Sequence, residues 1–350
     1  MKSEFAIGGR QIGPGRPVYI VAEMSANHGQ DRCRAMEMIH AMKESGADAV
    51  KLQTYTPDTL TIDSDREYFR VGKGTPWEGR TLYRLYEEAM TPWDWHAELK
   101  TAAEDIGLDF FSTPFDETAV DFLEELGTPV HKIASFENVD HALIRRIAET
   151  GKPIIMSTGM ATLPELEEAV ETIRSAGGDQ LALLKCTSAY PSPPEEMNLR
   201  TLPDLQQKFG VPVGLSDHTR GIAVPVAAVA LGAQLLEKHF TLSREPEGPD
   251  SVFSLEPDEF REMAGAVRAA EKALGAPCYS PTETEMKSRC FRRSLFVVQA
   301  IRRGDEITPE NVRSIRPGHG LHPRHLDTVL GKRAARDIDR GTPLAWDLVE

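Results

Sequence analysis

Residues 211–239 read VPVGLSDHTRGIAVPVAAVALGAQLLEKH. Two apolar runs, 211–215 and 235–236, each close on polar side chains: Ser216-Asp217-His218 and Glu237-Lys238-His239. An unbroken apolar run, without alternation, marks a strand buried on both faces, the habit of parallel sheets. The apolar interval 221–233 between them is too short and interrupted to span a bilayer. Outward from this unit the same texture recurs at 18–22, 49–52, 108–111, 130–133, 154–156 and 181–184. Helical patterns such as 163–175 and 257–274 lie between or after the runs. The second opens on Pro257, then Asp258 and Glu259, where a helix favours first proline and then carboxylates. Eight units over about 260 residues predict an α/β fold of the TIM (β/α)8 barrel type. No Gly-rich dinucleotide fingerprint follows the first run, which disfavours an open doubly wound sheet.

The barrel domain is expected over residues 1–275. Residues 54–107 make one connection too long for a simple crossover, and an aromatic-rich insertion there, Trp77 to Tyr83, is placed to shape a substrate pocket at the barrel rim. A polar, proline-bearing linker follows over 276–289. Short strands and turns such as Arg303-Gly304-Asp305 then predict a small, mostly β domain over 290–350, near the lower size limit for independent folding.

The chain has 350 residues, 27% of them charged, and a net charge of −14. That charge excludes a nucleic-acid partner, since phosphate backbones demand a cationic surface. It leaves room for a small anionic substrate held by a few lysines. Neither a membrane span nor a signal peptide is expected. Cys33, Cys186, Cys278 and Cys290 fit no disulfide framework or zinc knuckle, so the expected compartment is the cytoplasm.

Function is read from what ends each run, because active sites of such barrels lie where the C-terminal strand ends converge. The first six runs meet Glu23-Met24-Ser25-Ala26-Asn27-His28, Lys51-Leu52-Gln53, Ser112-Thr113-Pro114-Phe115, Lys132-Ile133-Ala134-Ser135, Ser157-Thr158-Gly159-Met160 and Cys186-Thr187-Ser188-Ala189-Tyr190. Buried charge is costly, so a purely structural barrel has no use for this pattern. His218 and His239 end neighbouring strands roughly 5 Å apart. Beside Asp217 and Glu237, they are the candidate ligands of a divalent cation with open positions. The bland alternative is a hydrogen-bonded histidine pair. Lys51 and Lys132, with Thr113, Ser135, Ser157 and Ser216, suit phosphate and carboxylate. A Schiff-base lysine is the competing role for either. Glu23 and Glu237 follow apolar runs and are the candidate acid/base carboxylates.

These strand ends, together with Lys51-Leu52-Gln53-Thr54, Tyr190-Pro191, Gly214-Leu215-Ser216-Asp217-His218, Glu237-Lys238-His239-Phe240-Thr241 and Gly248-Pro249-Asp250, resemble the sialic acid (nonulosonate) synthases. The tail, with Val312-Arg313-Ser314-Ile315-Arg316-Pro317-Gly318, resembles their antifreeze-like (SAF) domain. The resemblance covers nearly the whole chain. It implies a transferase that joins phosphoenolpyruvate to an acetamido sugar with C–O cleavage of the phosphoenolpyruvate. It also implies a divalent ion, usually manganese, on His218 and His239, with Gln53, Ser188, Tyr190 and Asp250 among the substrate contacts. Finally, it implies a domain-swapped homodimer in which Arg316 reaches the neighbouring barrel.

Members that make N-acetylneuraminate tend to carry Gly-x-Asn-His where this chain has Ser25-Ala26-Asn27-His28, which points away from N-acetylmannosamine. Lys51 to Thr59, Trp77 to Tyr83 and Thr91-Pro92-Trp93-Asp94-Trp95 instead resemble the pseudaminic acid branch. The implied sugar there is a 2,4-diacetamido-2,4,6-trideoxy hexose. Legionaminic acid and N-acetylneuraminic acid synthases are the nearest rivals. A Schiff-base aldolase and a non-catalytic binding protein are the readings from other classes.

Overall fold

The computed structural model describes residues 5–75, 77–245 and 248–350. The chain divides into two compact units, Met1–Gly275 and Ala276–Glu350. The first opens with an antiparallel hairpin of β1 (Phe5–Ile7) and β2 (Arg10–Ile12). Eight parallel strands follow: β3 (Tyr19–Glu23), β4 (Ala49–Thr54), β5 (Asp109–Pro114), β6 (His131–Ile133), β7 (Ile154–Ser157), β8 (Leu181–Cys186), β9 (Val213–Asp217) and β10 (Leu235–His239). They close in sequence order, β10 pairing with β3, into the expected barrel.

Successive side chains on a strand face opposite ways, and the two faces are filled differently. Ile20, Val50, Met156, Leu183 and Leu236 join the larger core, which includes the surrounding helices. Tyr19, Val21, Ala49, Phe111, Ile155 and Leu235 form a separate apolar cluster inside the barrel, with Phe5, Ile7 and Ile12 of the hairpin. Crowding there is severe at Gly214. A Cβ at that position would lie 2.3 Å from the Leu235 carbonyl oxygen, so only glycine fits.

Local signals set the helices. Leu163–Ser175 starts on a capping box of Thr162 and Glu165, and Pro257–Leu274 on one of Glu256 and Glu259, each with proline in its first turn. The long connection between β4 and β5 holds helices Pro57–Leu60, Leu82–Ala89 and His96–Asp105. Among the described residues no helix is long and apolar enough to cross a membrane.

The second unit pairs β11 (Ser294–Val297) with β12 (Val312–Ile315) around a small core that includes Leu295, Ile307, Val312 and Leu344. Isolated bridges such as Ile301–Ile338 supply further β pairing. The interval read as a plain linker contains a short helix, Glu283–Ser288, capped by Thr282 and Glu285.

Candidate active site

Two residues along from the apolar interior layer, the same strands turn polar. The interior positions there hold Glu23, Lys51, Thr113, Lys132, Ser157 and Glu237, all buried. Lys51 Nζ lies 2.8 Å from Glu23 Oε2 and 3.0 Å from Glu237 Oε1, and donates to Thr113 Oγ1 at 3.3 Å. Lys132 Nζ donates to Ser157 Oγ at 2.7 Å and lies 3.5 Å from Glu237 Oε2. Ser216 Oγ donates to Glu237 Oε1 at 3.3 Å.

Burial acts on all four charges, and their neighbours decide the outcome. At Glu23 burial dominates and raises the pKa, against the pull of Lys51. At Glu237 burial also raises it, but Lys132 and Lys51 together outweigh that and keep the group ionised. Lys132 is lowered, chiefly by burial. Lys51 is raised, because its two carboxylates overcome the burial penalty. Glu237, held between two lysines, is the more firmly ionised of the two glutamates, and Glu23, with one, takes up a proton more readily.

Beside Lys132 lies a cradle of small donors. Gly159 N–H donates to Ser135 Oγ at 3.1 Å. A Cβ at Gly159 would sit 2.3 Å from Ser188 Oγ and 2.6 Å from Ser135 Oγ, so the absence of a side chain keeps this corner open. Ser188 also hydrogen-bonds Tyr190. Opposite, Gln53 Nε2 donates to Ser25 Oγ at 3.2 Å, and Ser25 Oγ donates to Asp250 Oδ2.

The rings of His218 and His239 have centroids 5.2 Å apart. His218 Nδ1 donates to the Thr187 carbonyl at 3.2 Å, which in the neutral ring leaves the Nε2 lone pair free. His239 Nδ1 is buried without a partner, and burial, then His218, hold this imidazole well below its usual pKa. Burial lowers His218 too, but Cys186 Sγ, 3.9 Å from Nδ1, offsets this. A cation on the ring would reverse that balance, since imidazole ligates in its neutral form. Two free imidazole lone pairs fit a divalent cation that takes its remaining ligands from water and substrate oxygens.

The carboxylates expected beside them do not join. Asp217 faces out of the barrel and pairs with Lys238 at 2.6 Å, and Glu237 is held by the lysines. Among the described residues no three His, Cys, Asp or Glu side chains are grouped to hold a metal.

An aromatic wall stands next to the histidines. Tyr190 packs on His218, Phe253 and Trp77 with centroids 4.5, 5.2 and 5.5 Å apart. Trp77 Nε1 donates to the Pro249 carbonyl at 2.7 Å, tying the insertion to the loop that carries Asp250. Tyr83, at the other end of that segment, instead bonds Asp58 at 3.2 Å. His28 bonds Thr91 and the Gln30 amide and plays no part in the cluster, while Asp31 caps the helix Arg32–Glu44. Arg316 belongs to the second unit and is exposed there.

Sequence reading missed Glu137. Its Oε2 is buried without a hydrogen-bond partner, and burial raises its pKa to about 7 against the pull of Lys132. It is close enough to disfavour ionisation of Tyr86 and Tyr190. Its place in a loop just after Ser135 was the only available signal.

Comparison with known proteins gives matches to two family models, the NeuB family over residues 38–279 and the SAF domain over residues 292–350. The chain is 47% identical over 329 residues to a pseudaminic acid synthase of Campylobacter jejuni, covering 94% of this chain and 96% of that protein. It is 46% identical over 337 residues to the pseudaminic acid synthase of Helicobacter pylori, covering 96% and 98%. An N,N'-diacetyllegionaminic acid synthase of Legionella pneumophila is more distant, at 37% over 337 residues, covering 95% and 94%.

Proposed function

The chain belongs to the NeuB family, and from that premise we propose that it condenses phosphoenolpyruvate with 2,4-diacetamido-2,4,6-trideoxy-L-altrose and water, giving pseudaminic acid and phosphate. The observation that carries this reading is the 46–47% identity to pseudaminic acid synthases over nearly their whole length, against 37% to a legionaminic acid synthase.

The residues divide the work. Lys132, Ser157, Ser135 and the Gly159 corner take the anionic ends of phosphoenolpyruvate, with Lys51 and Thr113 beside them. Glu237 holds both lysines in place and is too firmly ionised to carry protons. Glu23 does carry them. It gives a proton to the aldehyde oxygen as C3 of phosphoenolpyruvate bonds to the aldehyde carbon, and recovers one from the water that adds at C2. Phosphate then leaves with the electrons of the C2–O bond. Gln53, Asp250 and Glu137 offer polar partners to hydroxyl and acetamido groups, and the wall of Trp77, Tyr190 and Phe253 takes the apolar C6 methyl.

A divalent cation, manganese in this reading, would be held by His218 and His239 and would polarise the aldehyde carbonyl. The functional form is a domain-swapped homodimer in the cytoplasm, where Arg316 of each chain completes its partner's site. Support for the exchange is the small size of the second unit and the segment 276–289 that precedes it. Mixing inactive His218→Ala and Arg316→Ala chains should restore about a quarter of the sites, because half the dimers are mixed and each of those has one intact site. No recovery after confirmed subunit exchange would end the swapped reading.

The reaction itself is tested with phosphoenolpyruvate carrying heavy oxygen at the bridging position. C–O cleavage sends the label into phosphate. Label retained in the sugar acid, or no phosphate release with any acetamido sugar, would refute the assignment.

A further inference from the structure

Four non-glycine residues among those described have positive φ: Ser25, Gln30, Met160 and Asn198. Three are exposed, and Ser25, at φ 47°, is buried. A left-handed conformation is unfavourable for serine, and a buried instance persists only where its surroundings demand it. Met24 before it is right-handed at φ −74°, ψ −42°. A right-handed residue followed by a left-handed one turns successive N–H groups toward one side, an arrangement suited to anions. Here the anions are two carboxylates of the site. Ser25 N–H donates to Glu23 Oε1 at 3.0 Å, and the Ala26 N–H donates to Asp250. The Ser25 hydroxyl donates to Asp250 Oδ2 and accepts from Gln53 Nε2 at 3.2 Å. One strained residue thus touches the proton carrier on β3, the amide on β4 and the carboxylate on the loop after β10.

We propose that Ser25 is a positioning residue for the sugar half of the site, its strained turn and hydroxyl holding Asp250 and Gln53 in register with Glu23. This rests on the reaction proposed above. A hydroxyl is required because it must donate to one group and accept from another, which neither glycine nor alanine can do. A residue kept for folding would be glycine, which adopts this φ without strain.

That difference lets one variant separate stability from activity. In Ser25→Gly the strain is relieved and the hydroxyl is lost. Strain relief offsets the lost hydroxyl bonds, so its melting temperature should stay close to that of the wild type, while kcat/KM for the sugar falls at least about tenfold. KM for phosphoenolpyruvate, assigned above chiefly to Lys132, Ser135, Ser157 and the Gly159 corner, none of which Ser25 bonds, should stay within about twofold. Ser25→Ala keeps the strain and should lose activity equally. The assay uses whichever acetamido sugar the wild type turns over best, so a wrong sugar assignment counts against the proposed function and leaves this comparison intact. Ser25→Gly with the sugar kcat/KM of the wild type would overturn the proposal. So would a loss of melting temperature in step with activity, or an equal rise in KM for phosphoenolpyruvate.

Discussion

The two ends of the barrel interior are built on the same eight strands and could hardly differ more. At the N-terminal end Tyr19, Val21, Phe111 and Leu235 pack against the β1–β2 hairpin as a sealed apolar plug. Two positions further along, Glu23, Thr113 and Glu237 occupy the matching inward places, with Lys51 and Lys132 between them. Burying apolar surface stabilises the fold, whereas burying four charges costs stability unless each is paired. The four pair with one another, but beside them Glu137 Oε2 and His239 Nδ1 have no hydrogen-bond partner. A barrel can hold so much frustrated polarity at one end because the other end is so completely satisfied. The molecule separates stability from chemistry along the strand direction.

Four perturbations break or sharpen that contrast, those at the polar end first. Removing a cation at the polar end, in Lys132→Met, should cut phosphate release about 10³-fold, since under the proposed mechanism it deletes the main charge offered to the substrate anions. Retained activity would put the anion cradle elsewhere. Next, His239→Ala should weaken manganese binding at least about tenfold, read directly from the free manganese signal as well as from turnover. Unchanged manganese binding would remove His239 from the cation site. At the apolar end, Phe111→Ala should cost about 3–5 kcal/mol in urea unfolding and leave kcat nearly untouched. A collapse in kcat with intact stability would invert the contrast.

The last perturbation concerns Glu137. Its folded pKa is raised from 4.5 to about 7, so the folded state holds this proton more tightly than the unfolded chain does. The wild type should therefore lose stability relative to Glu137→Gln as pH rises from 4.5 to about 7, by roughly 3 kcal/mol, and then level off. Parallel stability curves for the two proteins across that window would show the carboxylate to be ordinary.

The legible part of this protein was the part governed by period and run length. All eight barrel strands showed as mostly apolar runs, and many of the polar residues ending them are ones the fold brings together, because barrel closure converges the C-terminal strand ends on one point. Position along the chain did not reveal direction. Asp217 and Lys238 sit beside the two histidines in sequence, yet face outward and pair with each other, as the two-residue period of a strand requires. The hairpin plug escaped notice because three-residue strands carry too little pattern. Glu137 and the strained turn at Ser25 depend on loop conformation, which no periodicity encodes.

The central claim is that the polar end of the barrel is built for phosphoenolpyruvate and a trideoxy diacetamido sugar. Its most direct test is kcat/KM for phosphate release with 2,4-diacetamido-2,4,6-trideoxy-L-altrose and with N-acetylmannosamine, on one manganese-loaded preparation. A site whose polar groups await two acetamido arms leaves partners unpaired when one is missing, and the expected preference for the altrose sugar approaches ~10⁴. Comparable efficiency with the two sugars would contradict it.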